Sequence, residues 1–189
     1  FHNDAEYFGH RITADHLTSQ AENMLGIGLA KDALVIKDLF TGMIHLYPTT
    51  DKSADSTVAS IQHFVGDNVV VKLYSDNSGE ISKALKRLQV MHHTSQPGVP
   101  MNNAVIERVN QDVLEGTRAL LVRAGLPVCV WPFAAEASTM TSSMFSWLGK
   151  SYIVFRSIFS NIDLNPLAPV FFLIALKAIS FKALSLNCL

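Results

Sequence analysis

The sequence predicts an α/β domain built on a mixed sheet, and three observations predict it. Apolar and β-branched runs such as "ALVIKD" and "NVVVKLYS" alternate with stretches of helical periodicity, the pattern of strands joined by crossovers. Near the start, "ALVIKDLFTGMIHLYP" reads as two strands around a tight turn, which adds an antiparallel hairpin. A length of 189 residues, 49% of them hydrophobic and 16% charged, is enough for one domain with a sizeable core and an appendage.

The first strand is expected over 11–17, "RITADHL", and carries Asp15. Strands over 33–38 and 43–48 form the hairpin, the second stopping at Pro48, which has no N–H to offer a ladder. A helix follows in "DKSADSTVASIQHFVGD", capped by Ser53 or Asp51, with Val58, Ile61, Phe64 and Val65 on one face and Gly66 closing it. The near-continuous apolar run over 68–75 has the look of a central strand, with Asp76 at its carboxyl end. In "SGEISKALKRLQV", Ile81, Leu85 and Leu88 share one helix face and Lys83, Lys86 and Arg87 another. His92 and His93 read as strand, so they point to opposite faces and do not share a metal. The stretch over 93–103, with two Pro and a Gly, is a loop. The longest helical pattern comes after it, with Ile106, Val109, Val113, Leu120 and Ala124 as the buried stripe and Gly125 and Pro127 as its stop. A last helix covers "VCVWPFAAEASTMTSSMF", kinked or begun at Pro132.

Charge says little about partners. Lys plus Arg total 15 against 16 for Asp plus Glu, so no basic excess announces nucleic acid. Cys129 and Cys188 are far apart with no CxxC spacing, which suits a reducing compartment and argues against structural zinc. No signal peptide is expected, and the chain reads as a piece of something longer. Two readings fit "YSDNSGEI". Asp, Asn, Ser and Gly are the residues that end strands and start helices, so the stretch can be punctuation. In open α/β sheets, however, reactive groups gather at strand ends. Asp15, Asp76 and Glu107, the last in the first turns of the long helix, are then candidates for one cluster, since neighbouring strands lie roughly 5 Å apart.

Five stretches in order, "ITADHL", "ALVIKDLFTGMIHLYPTTDKSADST", "KLYSDNSGEI", "HTSQPGVPMNNAVIERVN" and "LEGTRALLVRAGLPVCVWPFAA", resemble the catalytic core of retroelement integrases, most closely the Ty1/copia type. The resemblance covers about residues 8–141, and the third and fourth stretches are the specific ones. It implies an RNase H-like mixed five-stranded sheet flanked by helices, and an acidic triad of Asp15, Asp76 and Glu107. It further implies a polynucleotidyl transferase that trims DNA 3' ends and joins them to target DNA with Mg2+ or Mn2+. The implied partners are element and target DNA, further copies of the chain and the rest of a polyprotein, with nuclear action and an otherwise cytoplasmic particle. Three carboxylates can hold two such ions, which accept oxygen ligands and few carboxylates each. Lys83, Lys86, Arg87, Asn103 and Arg108 are the candidate nucleic-acid contacts. The three cations of the amphipathic helix read equally as a solvated face, and Asn103 and Asn110 as capping residues.

The sequence departs from the family in places. Asp76 and Glu107 lie 31 positions apart, a shorter spacing than usual. Ala104 stands where the family usually has Gly, and strain is expected there if the backbone needs positive φ. Residues 142–189 match nothing and form a divergent apolar tail. Its longest uncharged run, Leu164 to Leu176, has 13 residues, short of the 18 or so needed to span a bilayer, so no membrane span is expected. An inactive relic of an integrase core is the alternative reading. A ribonuclease H is a third, which the proline-rich loop and the "ERVN" helix speak against.

Overall fold

The computed structural model describes residues 5–18, 25–94 and 104–158, with the side chains of residues 145 and 147–158 left out. Asn103, the "QPGVP" segment and the tail beyond residue 158 lie outside the described residues. Contacts group the chain into a unit over Phe1–Gly149 and a second over Lys150–Leu189. All that follows concerns the first.

The elements are β1 (Arg11–Thr18), β2 (Asp32–Asp38), β3 (Ile44–Thr49), α1 (Ala54–Val65), β4 (Lys72–Ser75), α2 (Gly79–Leu88), β5 (Met91–Thr94), α3 (Ala104–Ala124) and α4 (Trp131–Ile158). They build a five-stranded sheet in the order β3-β2-β1-β4-β5. The hairpin strands pair antiparallel, and β1 with β4 and β4 with β5 pair parallel, each parallel step made through a helix. Pro48 is tolerated in β3 because that strand is an edge, bonded only to β2.

Strand alternation divides the sheet into two faces. Ile12, Ala14, Leu34, Ile36 and Leu73 pack against Ile61, Phe64, Ile81 and Leu85 of α1 and α2. Burying each large side chain there contributes about 1.5–3 kcal/mol. Ala33, Val35 and Leu46 face the other way, against Ile106, Val109 and Val113 of α3 and Ala135 of α4. Where α3 and α4 approach, Gly116 leaves room for Ser138, whose hydroxyl would have to turn away from a Cβ placed there.

Ser53 is the N-cap of α1: its hydroxyl accepts from the Ser56 N–H at 3.2 Å, while the Asp51 carboxylate braces the pair from outside. Three expectations need correction. The central strand is only Lys72–Ser75, because the lead-in sends Val70 into the core and Val69 into solvent, and its bonds go to the turn before β1, from the Val71 N–H to the Gly9 carbonyl. Gly9, at φ +85°, is needed for that approach, since a Cβ would lie 2.8 Å from the Val69 oxygen. On α3 the buried stripe runs through Val113, Thr117 and Leu121, leaving Leu120 and Ala124 exposed. A Thr sits in it because its hydroxyl bonds back to the Val113 carbonyl at 2.7 Å. Finally, Ala104 opens α3 as a helical residue, and a first-turn residue takes ordinary right-handed dihedrals, so the expected strain does not arise.

Ser143 of α4 reaches back to the β3 edge, its hydroxyl accepting from the Ile44 N–H at 2.7 Å and donating to the Ile44 carbonyl at 2.8 Å. Among the described residues no helix is long and apolar enough to cross a membrane.

Candidate active site

Asp15 lies on the α3 side of β1, because Ile12 and Ala14 take the opposite face. The parallel register of β1 and β4 pairs Thr13 with Tyr74, and two residues further along it Asp15 comes level with Asp76. Electrostatics report the same proximity. The Asp15 carboxyl is pushed above its ordinary range, first by burial and then by the Asp76 charge; the His16 N–H, the Asn110 amide and the Lys52 charge act against this. Its Oδ1 accepts from the His16 N–H and its Oδ2 from the Asn110 Nδ2, both at 2.8 Å.

Asp76 is held from two sides. Its Oδ1 accepts from the Ser78 N–H at 3.2 Å, folding "DNS" into the entry of α2. Behind it, the buried Ser75 hydroxyl donates to the Asp76 carbonyl at 2.7 Å and so must accept from His92 Nε2 at 2.8 Å. That places the imidazole proton on Nε2 and leaves Nδ1 to accept from Ser82, at 3.5 Å. His92 and His93 do point to opposite faces: His93 stacks on Tyr74.

Glu107 is a different case. It is exposed on the first turn of α3, and among the described residues no group of three His, Cys, Asp or Glu side chains is placed to hold a metal ion. The structure therefore brings Asp15 and Asp76 together and does not close the triad. The residue that α3 does deliver is Asn110, only 8% exposed. The sequence offered capping or solvation for it. Its place one turn after Glu107 on the same helix was the available signal.

The remaining candidates are scattered. Lys83 and Lys86 are exposed on α2, which packs on the sheet face opposite to Asp15. Arg87 on the same helix pairs with Asp55, and Arg108 with Asp112 at 3.1 Å. Asp38, the acid at the end of β2, is fully buried and committed to a turn: it accepts from the Gly9 N–H and from both the N–H and the hydroxyl of Thr41. At the strand end, burial and Lys52 lower the His16 pKa while Asp76, Glu80 and Asp32 oppose them, so acidic charge is concentrated there.

Mg2+ and Mn2+ accept hard oxygen donors. Asp15, Asp76 and the Asn110 side-chain carbonyl supply them, and that carbonyl oxygen is buried without a hydrogen-bond partner beside Asp15. An orphaned buried acceptor costs about 1–3 kcal/mol, and a repelling carboxylate pair adds to it. A divalent cation relieves both. The residues fit one such ion; a second needs Glu107.

Against known proteins, the chain is 32% identical over 108 residues to the "Retrovirus-related Pol polyprotein from transposon RE2" of Arabidopsis thaliana, a match over 53% of this chain and 7% of that one. The chain thus spans less than a tenth of the length of that relative. Among solved structures, the catalytic core domain of BIV integrase superposes with a TM-score of 0.53 at 15% identity, over 78% of this chain and 99% of that chain. This chain is thus similar in sequence to transposon Pol polyproteins, and its fold is that of the retroviral integrase catalytic core. A chain of the simian T-cell lymphotropic virus intasome, in complex with PP2A regulatory subunit B56 gamma, gives a TM-score of 0.56 at 19% identity, over 70% of this chain and 48% of that chain. No protein-family model matches the chain. The fold is the RNase H-like mixed five-stranded sheet expected from the sequence.

Proposed function

We propose that this core belongs to a polynucleotidyl transferase that trims the 3' ends of element DNA and joins them to target DNA. It does so within a longer Pol polyprotein, as a homo-oligomer, on nuclear DNA after passage through a cytoplasmic particle. The observation that carries this reading is the meeting of Asp15, midway along β1, with Asp76, just past the end of the parallel neighbour β4. Asp15 and Asp76 hold the divalent cation, Asn110 orients the Asp15 carboxylate, and the chain of Ser82, His92 and Ser75 fixes the backbone at Asp76. Bound Mg2+ or Mn2+ supplies Lewis-acid polarisation of a phosphoryl oxygen and a more acidic attacking water or hydroxyl. Glu107 completes the set when α3's entry moves it inward.

The exposed Glu107 favours a second reading, an inactive core that keeps its fold. A strand-transfer and nicking assay in Mg2+ and in Mn2+ separates the two. Wild type should cut and join, and Asp76→Asn and Glu107→Gln should lose both reactions by at least a hundredfold while remaining folded. A wild type as inert as Asp76→Asn in Mn2+ means the inactive reading is correct.

A further inference from the structure

α3 covers the β1–β2–β3 half of its face of the sheet. Over β4 and β5 on that same face, no described helix packs, and the strands present three cross-strand rows. Register sets Arg11 beside Lys72 and Met91, then Thr13 beside Tyr74 and His93, then Asp15 level with Asp76. Successive rows are two residues apart, roughly 6.6 Å along the strands. The rows differ in chemistry: cations, rings, carboxylates. They are also joined: the Arg11 guanidinium lies 5.1 Å from the Tyr74 ring centroid, and the Tyr74 and His93 rings stack at 5.1 Å with 30° between planes.

We infer that this strip is a stacking platform for an unpaired strand of nucleic acid leading into the carboxylate pair. A run of guanidinium on β1, phenol on β4 and imidazole on the edge strand β5 continues naturally into base rings, which stack on aromatic and Arg planes with little regard to sequence. Arg11 and Lys72 sit one row behind and face the phosphates, while Asp15 and Asp76 sit one row ahead at the reacting end. Duplex DNA keeps its bases stacked on one another and offers none to the platform, so the occupant is single-stranded or frayed. The basic face of α2 lies across the sheet and cannot serve this strand.

The inference rests on the proposed polynucleotide substrate, and its test is independent of catalysis. The full chain is titrated, by fluorescence anisotropy, against a labelled oligothymidylate, an abasic strand of the same length and charge, and a blunt duplex. Oligothymidylate should bind on the order of tenfold more tightly than the abasic strand. Tyr74→Leu combined with His93→Leu should remove that difference, and Tyr74→Phe, which keeps the ring, should retain it. Equal binding of the two strands by wild type, an unchanged preference in the double variant, or no binding at all overturns the platform. A chain that nicks DNA yet shows no base preference loses only the platform; one that prefers bases yet never nicks loses only the catalytic reading.

Discussion

On one face of the sheet, Ile12, Leu34, Ile36 and Leu73 meet Ile61, Ile81 and Leu85 in an apolar layer, each at most 1% exposed. On the other, the same strands carry Asp15, Tyr74 and Asp76, and α3 brings Asn110 with an unsatisfied carbonyl into the layer. Burial of apolar area is favourable without further conditions, whereas a buried carboxylate needs partners. The α1/α2 face thus supplies apolar burial, while the α3 face combines its own apolar cluster around Val35, Leu46, Ile106, Val109 and Val113 with groups that lower stability until a cation or a substrate arrives.

Substitutions on the two faces can break that contrast. Leu73→Ala, on the apolar face, should cost about 2–5 kcal/mol in denaturant unfolding, with the cavity left behind deciding where in that range it falls. Asp38→Ala should follow at about 2–3 kcal/mol, since it strips acceptor bonds from Gly9 in the turn before β1 and from Thr41 in the turn between β2 and β3. Ser143→Ala should cost about 1 kcal/mol; a larger loss would show that the start of the divergent tail is part of the core. Asn110→Ala should change stability by about 1 kcal/mol or less, because it removes an orphaned acceptor along with a bond, yet an NMR titration should find the Asp15 carboxyl raised further.

The smallest effect is a pH dependence. Because the folded Asp15 carboxyl titrates above its unfolded value of 3.8, the folded state holds its proton longer. Stability contributed by this group therefore falls as pH rises from 3.8 through the raised folded value and is regained on acidification through the same window. Asp15→Asn should flatten that part of the stability curve, measured without divalent cations.

The sheet was legible because its strands are short β-branched runs punctuated by Gly, Pro and Asp, Asp76 because a strand end next to a turn is where an α/β sheet exposes a carboxylate, and Asp15 because it is the acid carried by the first strand. The early end of the lead-in to β4 was not, since Val69 and Val70 look alike in sequence and only the approach to Gly9 sends one out and one in. Asn110 was hidden for a related reason: its role depends on how α3 rotates over β1, and an apolar stripe fixes that rotation only to within a residue or so. The same uncertainty in rotation let Leu120 be taken for Leu121.

The central claim is that Asp15 and Asp76 form the seat of a divalent cation, and calorimetric titration of the full chain with Mn2+ tests it most directly. Wild type should bind Mn2+ and become more resistant to heat in its presence, Asn110→Ala should bind more weakly, and Asp15→Asn and Asp76→Asn should each abolish binding. Undiminished Mn2+ binding by both Asp15→Asn and Asp76→Asn, or no binding by wild type, would contradict it.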